Sequence, residues 1–184
     1  MITEATTPRI VVSAEALAED DESTVMSFVS IVDELLERGI ADGGLVDGAL
    51  GAYYTDVYAA QVVNGGFAQF LINGGHRPDV LAAVRDCLQT LGAAAHVAIF
   101  DRFHAGWTAL TESAREEFLA SQLFGDNPTR DRLNEPLDEF FALNASDPIM
   151  DRLAGWLRGH SELLVLPRAR LARYVAARVA ATNS

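Results

Sequence analysis

Apolar residues recur at intervals of three and four along most of the chain, the spacing of amphipathic helices that turn one face to a core. Over 22–38 the stripe is Val25, Met26, Phe28, Val29, Val32, Leu35 and Leu36, and Gly39 stops it. A glycine-rich turn at Asp42, Gly43, Gly44 and Gly48 leads into a predicted helix over 50–63 that bears Tyr53, Tyr54 and Tyr58, and a short one over 67–72 follows Asn64-Gly65-Gly66. Arg77-Pro78 opens another, because proline in a first turn loses no needed donor; Val80, Leu81, Val84, Cys87, Leu88 and Leu91 line it and Gly92 closes it. Beyond it, His96, Phe100, Phe103 and Trp107 form an aromatic stripe, and Phe118 with Leu119 anchors a helix after Thr111. Pro136 starts a segment with Leu137, Phe140 and Phe141, Asp147-Pro148 one that runs to His160, and Pro167 the last, with Leu171, Tyr174, Val175 and Val179.

Long period-two alternation is missing; only Ile10–Val12 and Leu163–Leu166 read as strand-like. The expected fold class is therefore all-α, an irregular multi-helix bundle with at most one or two very short strands. A chain of 184 residues that is 49% hydrophobic can bury a core without disulfides or metals, so one helical domain over 1–184 is expected. Within it, 1–13 reads as a loose arm and 167–182 as an arginine-bearing C-terminal helix. Cys87, the sole cysteine, reads as a small core side chain in a reducing compartment. The first twenty residues lack a basic start and an apolar run, and no stretch is long and apolar enough to span a bilayer, which points to the cytoplasm.

Charge changes the picture most. Asp and Glu number 26 against 14 basic residues, all arginine, for a net charge of −12. Such a field repels phosphate backbones and anionic membranes, arguing against direct binding to either. Residues 1–75 hold twelve acids against Arg9 and Arg38, whereas no acid follows Glu162 and Arg168, Arg170, Arg173 and Arg178 come after it. The front is anionic, and docking of the tail onto it is expected. Glu19, Asp20, Asp21 and Glu22 lie at a helix start, where the backbone dipole favours negative charge. Asp33 and Glu37 repeat one turn apart on the same helix, and dipoles do not explain the scarcity of positive charge over residues 1–75. A second acidic group, Asp131, Glu135, Asp138 and Glu139, surrounds the helix start at Pro136.

Catalytic and metal chemistry find no foothold. His76, His96, His104 and His160 are not paired at metal-ligand spacing, none joins Cys87 in a zinc pattern, and no nucleophile elbow is present. No catalytic residue, metal or cofactor is expected. Asn64-Gly65-Gly66 and its echo Asn73-Gly74-Gly75 read as helix-ending turns; an anion-cradling nest of backbone N–H groups is the other use of such a turn, without a strand or P-loop lysine to favour it here.

The string Val63-Asn64-Gly65-Gly66-Phe67-Ala68-Gln69-Phe70, with Leu137-Asp138-Glu139-Phe140-Phe141 downstream, resembles the bacterial family of unknown general function typified by the neisserial DNA mimic protein. Asn64, Gly65, Gly66, Phe67, Gln69 and Phe70 carry the likeness, which extends over roughly 30–165; Val63 departs where a second Asn is common. The resemblance implies a helical fold, a homodimer, and an acidic surface that occupies the DNA-binding face of a helix-turn-helix regulator.

Composition and resemblance together point to an interaction protein whose carboxylates stand in for DNA phosphates, with Glu19, Asp20, Asp21, Glu22, Asp33 and Glu37 as the expected partner-binding face. Two other roles compete. One is a small-molecule binder or enzyme with a pocket near Asn64, Gln69, His76 and His104; the other is a dimeric structural or regulatory protein whose acidity serves solubility.

Overall fold

The computed structural model describes residues 7–40, 42–121 and 125–182. Its elements in chain order are β1 (Ile10–Ser13), α1 (Ala14–Glu19), α2 (Asp21–Glu37), α3 (Ala49–Phe70), α4 (Pro78–Thr90), α5 (Ala94–Thr108), α6 (Glu112–Ala120), α7 (Pro128–Leu133), α8 (Leu137–Ser146), α9 (Ile149–Gly159), β2 (Leu163–Leu166) and α10 (Arg168–Thr182). The fold is all-α apart from the two four-residue strands, as the periodicity predicts. The chain forms two compact units, one up to Asp56 and again from Met150 onward, the other Val57–Ile149.

In the first unit β1 and β2 pair in parallel, with Ile10 opposite Leu163 and Ser13 opposite Leu166. Parallel pairing needs a long crossover, which the rest of the chain supplies. The expected loose arm is corrected in part: residues 10–13 are a fully buried strand, while residues 1–6 lie outside the described residues. Ser13 ends β1 and starts α1, its Oγ accepting the Ala16 N–H at 3.0 Å. Asp20 caps α2, accepting the Ser23 N–H at 2.6 Å; that bond holds its carboxyl below the usual range. Helix α2 buries Val25, Phe28, Ile31, Val32 and Leu35. Met26, read as part of the stripe, is instead 47% exposed, because it lies on the far side of the helix. Val11, Ile31, Leu35, Ile40, Leu166, Tyr174 and Val175 close the core.

The tail docks within this unit through a backbone N–H of Arg168 and the guanidinium of Arg178. Arg168 offers its backbone N–H to Glu15 Oε2 at 2.9 Å. Arg178 is buried and donates to the Gly44 carbonyl at 2.7 Å and to Thr182 Oγ1 at 3.0 Å. The linear charge gradient also disappears: 14 carboxylates against 8 arginines in the first unit and 12 against 6 in the second leave each at −6.

The second unit is built on aromatic rings. Tyr58, Phe67, Phe70, Phe100, Phe103 and Phe140 are all essentially inaccessible. Phe67 stacks on Phe103 at 4.7 Å, and Tyr58 meets Phe70 and Phe100 edge-on at 5.3 and 5.4 Å. Each such ring contributes about 1.5–3 kcal/mol by burial. His96 sits in the same core and contacts the Asp147 carbonyl through Nε2 at 2.8 Å, a packed side chain as its place on the aromatic stripe predicts.

Candidate functional site

Five of the six carboxylates expected to form the partner-binding face are exposed: Glu19, Asp20, Glu22, Asp33 and Glu37. Asp21 is half-buried and ion-paired with Arg158, which also reaches Thr24 Oγ1 at 3.2 Å. On α2, Glu22, Met26, Asp33 and Glu37 fall within about 60° of one another around the axis, so the polar face is continuous. The charge along it is not. Glu22 and Asp33 are about 16 Å apart along the helix, with exposed Met26 and Ser30 between them. The structure thus gathers the acids in two groups, Glu19, Asp20 and Glu22 at the start of α2 and Asp33 with Glu37 at its end.

Asp33 accepts the Tyr53 hydroxyl at 2.8 Å. Partial burial of the phenol, reinforced by that bond to an anion, pushes Tyr53 up to about 12. Glu34, next to Asp33 in sequence, is paired with Arg38. Among the described residues Glu19, Glu22 and Glu37 have no ion-pair or hydrogen-bond partner for their side chains. No arginine occurs between Glu15 and Glu37.

A further set carries no motif that marks it in the sequence. Helix α6 exposes Glu112, Glu116 and Glu117. Its arginine is drawn away from them: Arg115 Nε donates to the Leu110 carbonyl at 3.1 Å, and its guanidinium lies 5.7 Å from the Trp107 ring centre. The one available signal is the Glu-rich run of α6, but the run is short and overlaps a helix start, where acids are common.

The asparagine–glycine turn proves to be a packing device. Regular helical geometry breaks at Gly65 and Gly66, where Gly66 takes φ +78° and ψ −178°. Asn134 fills the space beside it and accepts the Ala68 N–H through Oδ1 at 3.1 Å. Gln61 Oε1 accepts from both Gln69 and Asn73 at 2.7 Å, and Gly75 leaves room for the Phe70 ring, which a Cβ would meet at 2.5 Å. Phe67 and Phe70 are core rings; Asn64 is exposed. His76 Nδ1 contacts the Leu71 carbonyl at 2.9 Å, and His104 lies against Phe100. A cleft of about 440 Å³ in the second unit is lined by other residues, none of them Asn64, Gln69, His76 or His104.

Among the described residues no group of three or more His, Cys, Asp or Glu could hold a metal ion, and no helix is long and apolar enough to cross a membrane. A family model, that of the DMP19-like protein, matches residues 44–160. The chain belongs to the DMP19-like protein family. The match contains the asparagine–glycine turn, the aromatic core and α6, and it begins beyond α2. The six carboxylates chosen from the sequence therefore lie outside the part of the DMP19-like chain that the family model covers. No curated protein and no solved structure matches the chain.

Proposed function

We propose that the protein is an acidic interaction protein of the DNA-mimic kind, whose carboxylates take the place of backbone phosphates on the basic surface of a DNA-binding protein. The observation that carries this reading is the exposed set Glu19, Asp20, Glu22, Asp33 and Glu37, with no arginine in the segment that bears it. Family membership supports it. Binding of this kind needs no chemistry: complementary charge speeds encounter, suppresses wrong partners and makes the complex sensitive to salt.

Two faces compete for the role, the outer side of α2 and the carboxylates of α6 inside the matched span. We assign the contact to the α1–α2 side, because Glu19 at the end of α1, Asp20 at the junction and Glu22, Asp33 and Glu37 on α2 together outnumber the three exposed carboxylates of α6. The experiment is affinity capture from cells at low salt, followed by elution with duplex DNA. The wild-type chain retains DNA-binding proteins that DNA releases, a variant with the five α2-side carboxylates changed to Gln or Asn retains none, and Glu112, Glu116 and Glu117 changed to Gln leave capture intact. Captured proteins that DNA fails to release exclude mimicry; loss only in the α6 variant moves the contact to α6.

A further inference from the structure

The cleft in the second unit is lined by Arg102, Phe103, Gly106, Arg132, Leu133, Glu135, Pro136 and Glu139, with a volume of about 440 Å³. Its four charged groups are not equivalent. Arg102 and Glu139 satisfy each other: Nη1 donates to Oε1 at 2.9 Å and Nη2 to Oε2. Arg132 and Glu135 have no described side-chain partner, and they do not pair with each other. The cleft therefore offers one uncommitted cation and one uncommitted anion above a floor that includes the buried side chains of Phe103 and Leu133.

The backbone that carries both groups is fixed. The Glu135 N–H donates to the Arg132 carbonyl at 3.2 Å, and the Leu137 N–H to the Asn134 carbonyl at 2.9 Å. Asn134, between them, is held by the Ala68 N–H at the Gly65–Gly66 break. The asparagine–glycine turn thus holds the wall of this cleft in place, and a preformed wall lowers the ordering cost of binding.

We propose that the cleft binds a free α-amino acid with an apolar side chain. Arg132 takes the α-carboxylate, Glu135 the α-ammonium, and the side chain lies against Gly106 and Pro136, above the buried Phe103 and Leu133. A ligand with a single charge would match only one of the two uncommitted groups, and a polyphosphate would meet Glu135 and Glu139 as well as the net negative field. The volume falls in the range of small-molecule sites. This site uses no carboxylate of α2 or α6 and stands or falls apart from the partner-binding reading.

The test is calorimetric titration of the full chain at low salt with L-leucine and L-phenylalanine, beside N-acetyl-L-leucine, which lacks the ammonium, and L-leucinamide, which lacks the carboxylate. We expect at least one free amino acid to bind, and each blocked form to bind about tenfold more weakly or worse, the loss that follows when a charged hydrogen-bond partner is removed. Arg132→Gln and Glu135→Gln, both at exposed positions, each lower the affinity for the free amino acid to a similar degree, and Gly106→Met, which fills the cleft without touching either charge, abolishes binding. No heat with either amino acid at millimolar concentration overturns the proposal. Equal binding of a blocked form, or full affinity in either charge variant, overturns it too.

Discussion

The side-chain amide of Asn134 lies against Gly66 so closely that a Cβ on the glycine would meet Asn134 Oδ1 at 2.5 Å. Gly66 also holds φ +78° with ψ −178°, a backbone region essentially confined to glycine. Steric and conformational demands coincide at one position.

Gly66→Ala is therefore expected to destabilise the fold by about 1–3 kcal/mol from backbone strain alone, with the clash adding to it. Asn134→Ala removes the acceptor of the Ala68 N–H and costs about 1–3 kcal/mol if that donor is left unsatisfied. Because the amide causes the clash, the double variant loses less than the two single losses together. Urea denaturation of all four proteins measures this; strict additivity would show that the two residues do not share the strain.

Asp56 titrates out of its ordinary range. It is 7% exposed, no described group hydrogen-bonds its carboxyl, and burial raises it to about 6. The folded chain therefore keeps a proton that the unfolded chain releases between the ordinary value of 3.8 and about 6. Stability from this group is greatest below that interval and is lost as pH rises through it, by at most about 3 kcal/mol for a shift of this size. Asp56→Asn, which cannot ionise, flattens this part of the profile and gains stability above pH 7 relative to wild type. Denaturation midpoints at pH 5 and pH 7.5 decide it; an unchanged pH dependence in the variant shows that Asp56 is not its source.

Arg178 and Arg173 share a helix but not a fate. The first is buried and bonded to the Gly44 carbonyl, the second is exposed. Arg178→Ala strands that carbonyl and costs about 1–3 kcal/mol, while Arg173→Ala stays within about 0.5 kcal/mol. Thermal unfolding of the two variants checks the contrast, and equal effects would deny Arg178 a docking role.

Long helices are legible in the sequence because their stripes repeat over several turns: α2, α4, α5 and α10 lie where the periodicity puts them. Helices α1 and α7 are not, since six residues offer too few core positions for a period; each buries a single apolar side chain, Ala16 or Leu133. Both strands can be read as apolar runs, but their partnership joins residues about 150 positions apart and leaves no local trace. The same distance problem affects the charges. Exposure of Glu22, Asp33 and Glu37 follows from the polar side of α2, whereas the capture of Asp21 by Arg158 becomes visible only once the fold brings the two ends of the chain into one unit. Asn134, which explains the glycine turn, carries no motif of its own.

The most direct measurement is competition for a purified captured DNA-binding protein, followed by the fluorescence anisotropy of its labelled duplex as this protein is added. The wild-type chain displaces the duplex, and neutralising Glu19, Asp20, Glu22, Asp33 and Glu37 weakens displacement by more than about tenfold while the far-UV circular dichroism is unchanged, as expected when complementary charges are removed from an interface. Displacement by the neutralised variant at the wild-type concentration would contradict the account.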